Sequence, residues 1–462
     1  MAFKLLFIPI IIFHLFLLIN TTFTLWPEMV VYPYLLNNSF VLYKDIINPY
    51  PPAFTLFLAL FSKVFGYLPT AFQILTWTII LTIDFLVLTI SFKIYKSLYK
   101  ALLALSFFVF LSILFGINGL WHDLVQTPFI LASMFYFYNF TQKKNTYTLF
   151  FCFLFLCFAI AIKQQALWLA LGYFLILFFY LKKGISFNYR QVLISFSPFL
   201  FLIIFHLLYA VKENILSDFF KWVIYFPFIS QSKQIGYLLI PTARQFVIVL
   251  SLGVLLTLSF INSKGKSKTL FFLTPFLLLF AYPRFDLFHL IPFLAISSIL
   301  SVNLKPRLKS SKANLALLTS LFVISFATAQ NLKNNWQYHI RFFEQDILAA
   351  SSFMTKITQK NDIVYIQNGP DQIFPLSSTL PPKPWADEFP WYLETGTLQQ
   401  TIVNSIKEQK PKYVVSKPYE EGKRFDLGSY KPEKIAKFVD QNYKNKIQLT
   451  NSLWLKELNE LP

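Results

Sequence analysis

The sequence predicts an all-α polytopic membrane bundle of about eleven transmembrane helices, followed by a small α/β domain outside the cytoplasm. Three observations predict it. Hydrophobic residues make up 56% and aromatics 19% of the 462 residues, while charged residues reach only 14%, against roughly 25% in soluble globular domains. Apolar stretches near the length needed to cross a bilayer, about 17 to 25 residues, recur through residues 1–334. Charge also changes character at residue 334: residues 1–334 hold 25 Lys and Arg against 7 Asp and Glu, whereas 335–462 hold 16 against 15. Nearly all of the net charge of +19 therefore belongs to the apolar part. A nucleic-acid-binding protein would gather it on a polar module, so no nucleic-acid partner is expected.

The spans fall near 5–23, 70–92, 101–116, 124–140, 147–162, 166–181, 191–211, 244–262, 269–282, 287–303 and 313–330. Lys163-Gln164-Gln165 splits the apolar run at 147–181 into two. The loop charges test this layout independently, because Lys and Arg favour short cytoplasmic loops. With the N-terminus inside, the inner loops carry Lys93/Lys96/Lys100, Lys143/Lys144, Lys182/Lys183/Arg190, Lys264/Lys266/Lys268 and Lys305/Arg307/Lys309/Lys312. An odd number of spans then puts the C-terminal domain outside a plasma (inner) membrane. The first span follows a single Lys4 and ends in Asn20-Thr21-Thr22 without a small-residue cleavage pattern, which predicts a retained anchor. Cys152 and Cys157 lie five apart in one span, too close along one helix for a disulfide across a loop.

This layout puts six of the seven acids of residues 1–334 on the outer side: Glu28, Asp45, Asp123, Glu213, Asp218 and Asp286. Only Asp84 falls within a span. The first outer segment reads Trp26-Pro27-Glu28-Met29, then Tyr43-Lys44-Asp45, then Asn48-Pro49-Tyr50-Pro51-Pro52, before a 14-residue apolar stretch from Ala53 to Gly66 that is too short to span and fits an interfacial helix. The second outer loop ends in Trp121-His122-Asp123, where Asp123 either caps the following helix or serves a site. Lys163 and Gln164 sit between two spans, and Arg284, Asp286 and His289 lie in Tyr282-Pro283-Arg284-Phe285-Asp286-Leu287-Phe288-His289. A cation at membrane depth is costly and marks a functional candidate, although snorkelling to the interface is the plainer account. Outer carboxylates beside cations suit sugar transfer: a carboxylate takes the acceptor's proton, and Lys or Arg neutralises a departing phosphate.

The tail reads as strands at 363–366 and 413–415, helices at 397–409 and 432–442, and an irregular loop through Pro381-Pro382, Pro384 and Pro390. It shows no catalytic motif, and a cap or binding platform is expected. The linear division is 1–334, membrane part, and 335–462, extracytoplasmic α/β domain.

In the order of these elements the chain resembles the polytopic GT-C glycosyltransferases, in the branch of protein O-mannosyltransferases and aminoarabinose transferases. The likeness covers most of residues 1–334: one span, an outer loop with an acid, a Tyr-Lys-Asp element and Pro-Pro, a second outer acid, and a late Pro-Arg-Phe-Asp-x-x-His segment. The resemblance implies a GT-C fold, a sugar donor on a polyprenyl phosphate, transfer on the outer face with inversion, and a glycan, lipid or protein acceptor. Glu28 resembles the acid pair of the first outer loop, with Pro27 where the family has Asp, so Asp45 stands beside it as candidate base. Tyr50 departs from the family's Glu-Lys-Pro-Pro element, and Lys44, Lys163 or Arg284 take over the donor contact, with His289 beside them. Asp123 matches the second outer acid, which positions the acceptor or a divalent metal; no metal-ligating residue is assigned. Trp121, His122, Gln164 and Asp286 are expected to position substrate. Rival readings are a polysaccharide polymerase or ligase using lipid-diphosphate donors, and a lipid flippase or transporter.

Overall fold

The computed structural model describes residues 6–182, 188–263, 267–304 and 311–459. Of the cations used to orient the loops, Lys4, Lys183, Lys264, Lys266, Lys305, Arg307 and Lys309 lie outside the described residues.

All eleven expected spans contain a helix. In chain order, α1 (Ile8–Asn20), α2 (Glu28–Asn37) and α3 (Pro52–Phe65) are followed by α4 (Pro69–Tyr95), α5 (Leu98–Ser112), α6 (His122–Lys143) and α7 (Thr146–Ile162). Next come α8 (Leu167–Lys182), α9 (Tyr189–Lys212), the short α10 (Leu216–Phe219) and a π-helical run over Phe220–Ser230. The chain continues with α11 (Ala243–Asn262), α12 (Lys268–Leu278), α13 (Ile291–Leu300) and α14 (Ser311–Asn335). By length and composition, α4, α5, α8, α9, α11 and α14 can each cross a membrane, the second and third with their adjoining 3-10 turns. Local chemistry sets several of the ends. Asn145 accepts the Tyr147 amide ahead of α7, and Thr242 and Gln245 cap α11 reciprocally. Pro52 opens α3, where a missing amide costs nothing, and Gly66 at φ 75° closes it.

The chain folds as two compact units. The first comprises Met1–Phe23, Gln73–His206 and Leu239–His339. Its interior is packed with aromatic and aliphatic side chains, among them the fully buried Phe108, Phe137, Phe153, Phe280 and Phe293. Cys152 and Cys157 are free thiols in that interior. Outward, α9 and α14 present Leu200, Phe201, Phe322 and Phe326, an apolar surface suited to lipid rather than water. Lys144 Nζ stands 3.5 Å from the Tyr180 ring, Lys93 Nζ 5.0 Å from the Phe135 ring, and Lys100 Nζ donates to Asn303 Oδ1 at 2.6 Å. Four of the lysine-bearing helix ends therefore gather at one end of the bundle, as alternating loops require.

α8 and α12 approach through Gly172. A Cβ there would lie 2.8 Å from Phe276 Cδ2 and 3.0 Å from Leu273 Cδ2, the close approach that small residues permit between membrane helices. Gly172→Val is expected to force the two helices apart, costing about 1–3 kcal/mol, read as a lower thermal midpoint in detergent.

The second unit joins Thr24–Phe72, Leu207–Leu238 and Ile340–Pro462. It contains α2, α3 and α10, then α15 (Gln345–Ile357), α16 (Ile373–Ser377), α17 (Pro390–Leu393), α18 (Leu398–Gln409) and α19 (Glu433–Asn442). Along the chain, the short strands β1 (Phe23–Leu25), β2 (Gly119–Leu120, in the first unit) and β3 (Ile340–Arg341) precede β4 (Val364–Gln367), β5 (Tyr413–Ser416), β6 (Tyr443–Gln448) and β7 (Trp454–Leu458). The last four form one sheet in the order β4-β5-β7-β6, with β4 parallel to β5 and the others antiparallel. β4 and β5 are buried at every position, as apolar runs of this kind predict. The segment after α2 is laced to the proline-rich loop of the tail: Trp385 N donates to Asp45 O at 2.8 Å, and Ile47 N to Trp385 O at 3.1 Å.

Candidate functional site

In the first unit, three side chains far apart in sequence converge. Asp123 lies in the first turn of α6, Lys163 ends α7, and His289 belongs to a 3-10 turn over Leu287–Leu290. Lys163 Nζ donates to Asp123 Oδ2 at 2.7 Å, and His289 Nδ1 lies 2.8 Å from the same oxygen and 3.3 Å from Nζ. A carboxylate facing an ammonium only accepts, so the His289 Nδ1 proton points at it. The other oxygen, Oδ1, accepts from Gln126 Nε2 at 3.1 Å, one turn along α6. The Asp123 and Lys163 side chains are 0% and 3% exposed. Asp123 therefore spends its oxygens on side chains from three elements rather than on first-turn amides, and α6 has no side-chain cap.

Lys163 is held by its backbone as well: it leaves α7 with φ −152° while its amide still donates to Ala159 O at 3.0 Å. α6 starts at this cluster and ends at Lys143, about 33 Å away at 1.5 Å per residue, so the cluster sits at the end of the bundle opposite the loop lysines.

The other expected residues of this unit surround the cluster or lie along its segments. Trp121 precedes α6, its ring edge-on to His122 at 5.0 Å and to Phe288 at 6.5 Å. His122 and Gln164 are buried. Arg284 is half-buried in an extended segment tied down by Leu239 N to Pro283 O at 3.1 Å and Phe285 N to Leu239 O at 3.0 Å. Asp286 is exposed.

The second unit holds the other candidates. Asp45 is engaged in its own turn: Oδ2 accepts the Val41 amide at 3.0 Å and faces Lys383 Nζ at 3.6 Å. Lys44 beside it points to solvent. Glu28 is different. It opens α2, half-buried, and its Oε2 is shut away from solvent with no hydrogen-bond partner among the described residues. Burial first, and then the neighbouring Asp387, push its carboxyl up to about 8.

Asp387 is a residue that sequence reasoning missed. It is buried, accepts a hydrogen bond from the Tyr32 hydroxyl at 2.6 Å, and is pushed up by burial to about 7. Asp371 and Glu388 complete an acidic group; burial raises both, and Glu388 is held by Tyr365 Oη at 2.6 Å and the Asn368 amide at 2.9 Å. Among the described residues no Lys, Arg or His forms an ion pair with any of these four carboxylates. The one available sequence signal was the acidic pair Asp387-Glu388 inside the proline-rich loop. Among the described residues no group of three or more His, Cys, Asp or Glu is arranged to hold a metal ion.

Models of known protein families and the sequences of curated proteins give no match to this chain. Solved structures do match. ArnT from Cupriavidus metallidurans bound to undecaprenyl phosphate superposes with a TM-score of 0.61 at 9% identity, covering 98% of both chains. Its apo state gives 0.63 at 10% identity over 98% of this chain and 97% of that one. The Archaeoglobus fulgidus oligosaccharyltransferase tethered to an acceptor peptide gives 0.54 at 9% identity, over 96% of this chain and 72% of that one. The chain thus has the GT-C fold of polytopic membrane glycosyltransferases. It is a multi-pass membrane protein with a small sheet-containing C-terminal region.

Proposed function

We propose that the protein is a plasma (inner) membrane glycosyltransferase that moves a hexosyl or pentosyl group from a polyprenyl-phosphate donor to a glycan, lipid or protein acceptor on the extracytoplasmic face, with inversion. The observation that carries this reading is the buried Asp123–Lys163–His289 cluster at one end of a bundle with the GT-C fold. A cytoplasmic N-terminus, which the loop lysines support, goes with this reading and has the cluster at the outer end.

Glu28 is the proposed general base in preference to Asp45, because Asp45 is occupied by its turn and by Lys383 while Glu28 Oε2 has no hydrogen-bond partner among the described residues. Glu28 takes the acceptor hydroxyl proton as that oxygen bonds to the anomeric carbon. The bond from that carbon to the phosphate oxygen breaks, and its electron pair leaves on the polyprenyl phosphate. Lys163, held in place by Asp123, together with Arg284 meets the departing charge; such fixed cations act without reorganising during the reaction.

The test is sugar transfer by purified protein in proteoliposomes supplied with polyprenyl-phosphate-linked sugars. Glu28→Gln is expected to reduce kcat by about 10²–10⁴ with little change in donor binding. Consumption of a diphosphate-linked oligosaccharide instead, or lipid-sugar translocation without a glycosidic product, would replace this reading by one of its rivals.

A further inference from the structure

Tyr32 stands one helical turn beyond Glu28 on α2, so the two side chains share a face with β-carbons about 5–6 Å apart. The Tyr32 hydroxyl reaches across 355 positions of sequence to Asp387 at 2.6 Å, and more weakly to Ile47 O at 3.4 Å. Asp387 is 4% exposed and follows Trp385, whose amide and carbonyl are both bound by the segment at 45–47. The carboxylate is therefore pinned from two sides and set beside the base. Yet nothing cationic among the described residues is ion-paired with either acid. An acidic pair with no counter-ion is an expensive thing to bury, and a purely structural role would be served as well by a neutral acceptor for Tyr32.

We propose that Asp387, supplied by the C-terminal region, is a positioning residue for Glu28: latched by Tyr32 next to the base, its negative charge governs when the Glu28 carboxyl releases its proton and becomes able to accept one. The inference rests on the reading of Glu28 as the base. It also gives the tail, which carries no catalytic motif of its own, a direct part in the reaction.

The groups interacting with the pair come from every side. They are Tyr32 on α2, Asp371 ahead of α16 and Tyr392 on α17, with Glu388 next to Asp387 in the chain and Tyr50, in the loop before α3, interacting with Tyr392. Tyrosines stay neutral through the working range, burial raising Tyr32 and Tyr392 further. Asp371 is raised too, so charge at the pair is traded chiefly between Glu28 and Asp387. The sign follows. A base must be ionised to act, and a neighbouring negative charge opposes its ionisation. Asp387 therefore moves the acidic limb of the activity profile upward, and removing its charge moves that limb down.

Asp387→Asn is the decisive variant, because the amide oxygen still accepts from Tyr32 while the charge is gone. For transfer from a polyprenyl-phosphate sugar, the acidic limb of kcat/KM against pH is expected to shift about 1 unit to lower pH, and Asp387→Glu to restore it towards the wild-type position. A folded, active Asn variant whose limb stays in place overturns the proposal. Should the Asn variant not accumulate as folded protein, Tyr32→Phe removes the hydrogen bond that favours the Asp387 carboxylate: the acidic limb is expected to move in the same direction, to lower pH, at an unchanged donor KM, and a limb that stays in place again overturns the role. Wild-type protein that transfers no sugar from any such donor removes the transferase reading itself, whereas an active wild type with an unmoved limb removes only Asp387.

Discussion

Lys163→Met is expected to abolish detectable sugar transfer, a loss of about 10³-fold or more in kcat, and at the same time to destabilise the membrane unit by about 3–5 kcal/mol. The two losses have different origins. Stability falls because Asp123, 0% exposed, would keep its charge in an apolar interior with only His289 and Gln126 to answer it. Activity falls because the cation proposed to meet the leaving phosphate is gone. A double variant, Lys163→Met with Asp123→Leu, separates them: it removes both buried charges, so the thermal midpoint in detergent is expected to return towards wild type, while transfer stays absent. Recovery of transfer along with stability would show the ion pair to be scaffolding and would move the phosphate site elsewhere. Lys163→Arg is no rescue, since a planar fork does not fit a site shaped around a point charge with neighbours at 2.7 and 3.3 Å.

What the residues made legible divides along the same line as the two units. The membrane helices follow from hydropathy because a bilayer imposes one length and one polarity on every span, and Lys163 stood out because a lone cation interrupts an apolar run. Its partners were less visible. Asp123 and His289 sit 40 and 126 positions from it, and only their placement on the same side of the predicted topology connected them. Gln126 carried no signal, since a glutamine one turn along a helix is ordinary. The second unit was legible only in pieces. β4, β5, α18 and α19 have clear patterns, but the hairpin of β6 and β7 escaped notice. It carries Lys444, Lys446, Lys456 and Glu457, and β6 buries only its first residue, so neither apolar run nor clean alternation marked it. Nor does composition hint that residues 24–72 and 207–238 fold with the tail rather than with the helices that flank them. The link depends on backbone pairing between 45–47 and Trp385, on the Tyr32 hydroxyl and, from 207–238, on Gln234 Nε2 donating to Trp391 O at 3.0 Å, features without local periodicity. Asp387 was missed for that reason.

Asp84→Leu is expected to cost the membrane unit about 3–5 kcal/mol, the largest stability effect predicted away from the Lys163 cluster. Asp84 on α4 is the only acid of residues 1–334 placed within a span, and it meets His14 of α1 and Ser112 of α5 in a single chain: His14 Nδ1 to Asp84 Oδ2 at 2.8 Å, Ser112 Oγ to His14 Nε2 at 3.0 Å. All three are 0% exposed. The order acid, imidazole, hydroxyl is that of a hydrolytic triad, but Ser112 is also 2.8 Å from the Val109 carbonyl, which accepts its proton, and none of the three is open to solvent. Fixing α1 against α4 and α5 is the role that remains. An ordinary hydrogen bond between membrane helices contributes only about 0.6–2 kcal/mol; the larger figure here comes from stranding the buried imidazole, which in the Leu variant would lose its only acidic partner among the described residues. The companion His14→Leu/Asp84→Leu protein removes both polar groups and should recover most of the loss, measured as the thermal midpoint of each variant in the same detergent. If the single and double variants melt alike, the pair is not the device that docks α1. That duty then falls to Asn118, whose amide donates to the Leu18 carbonyl at 2.9 Å and whose own carbonyl receives the Trp77 indole at 3.1 Å.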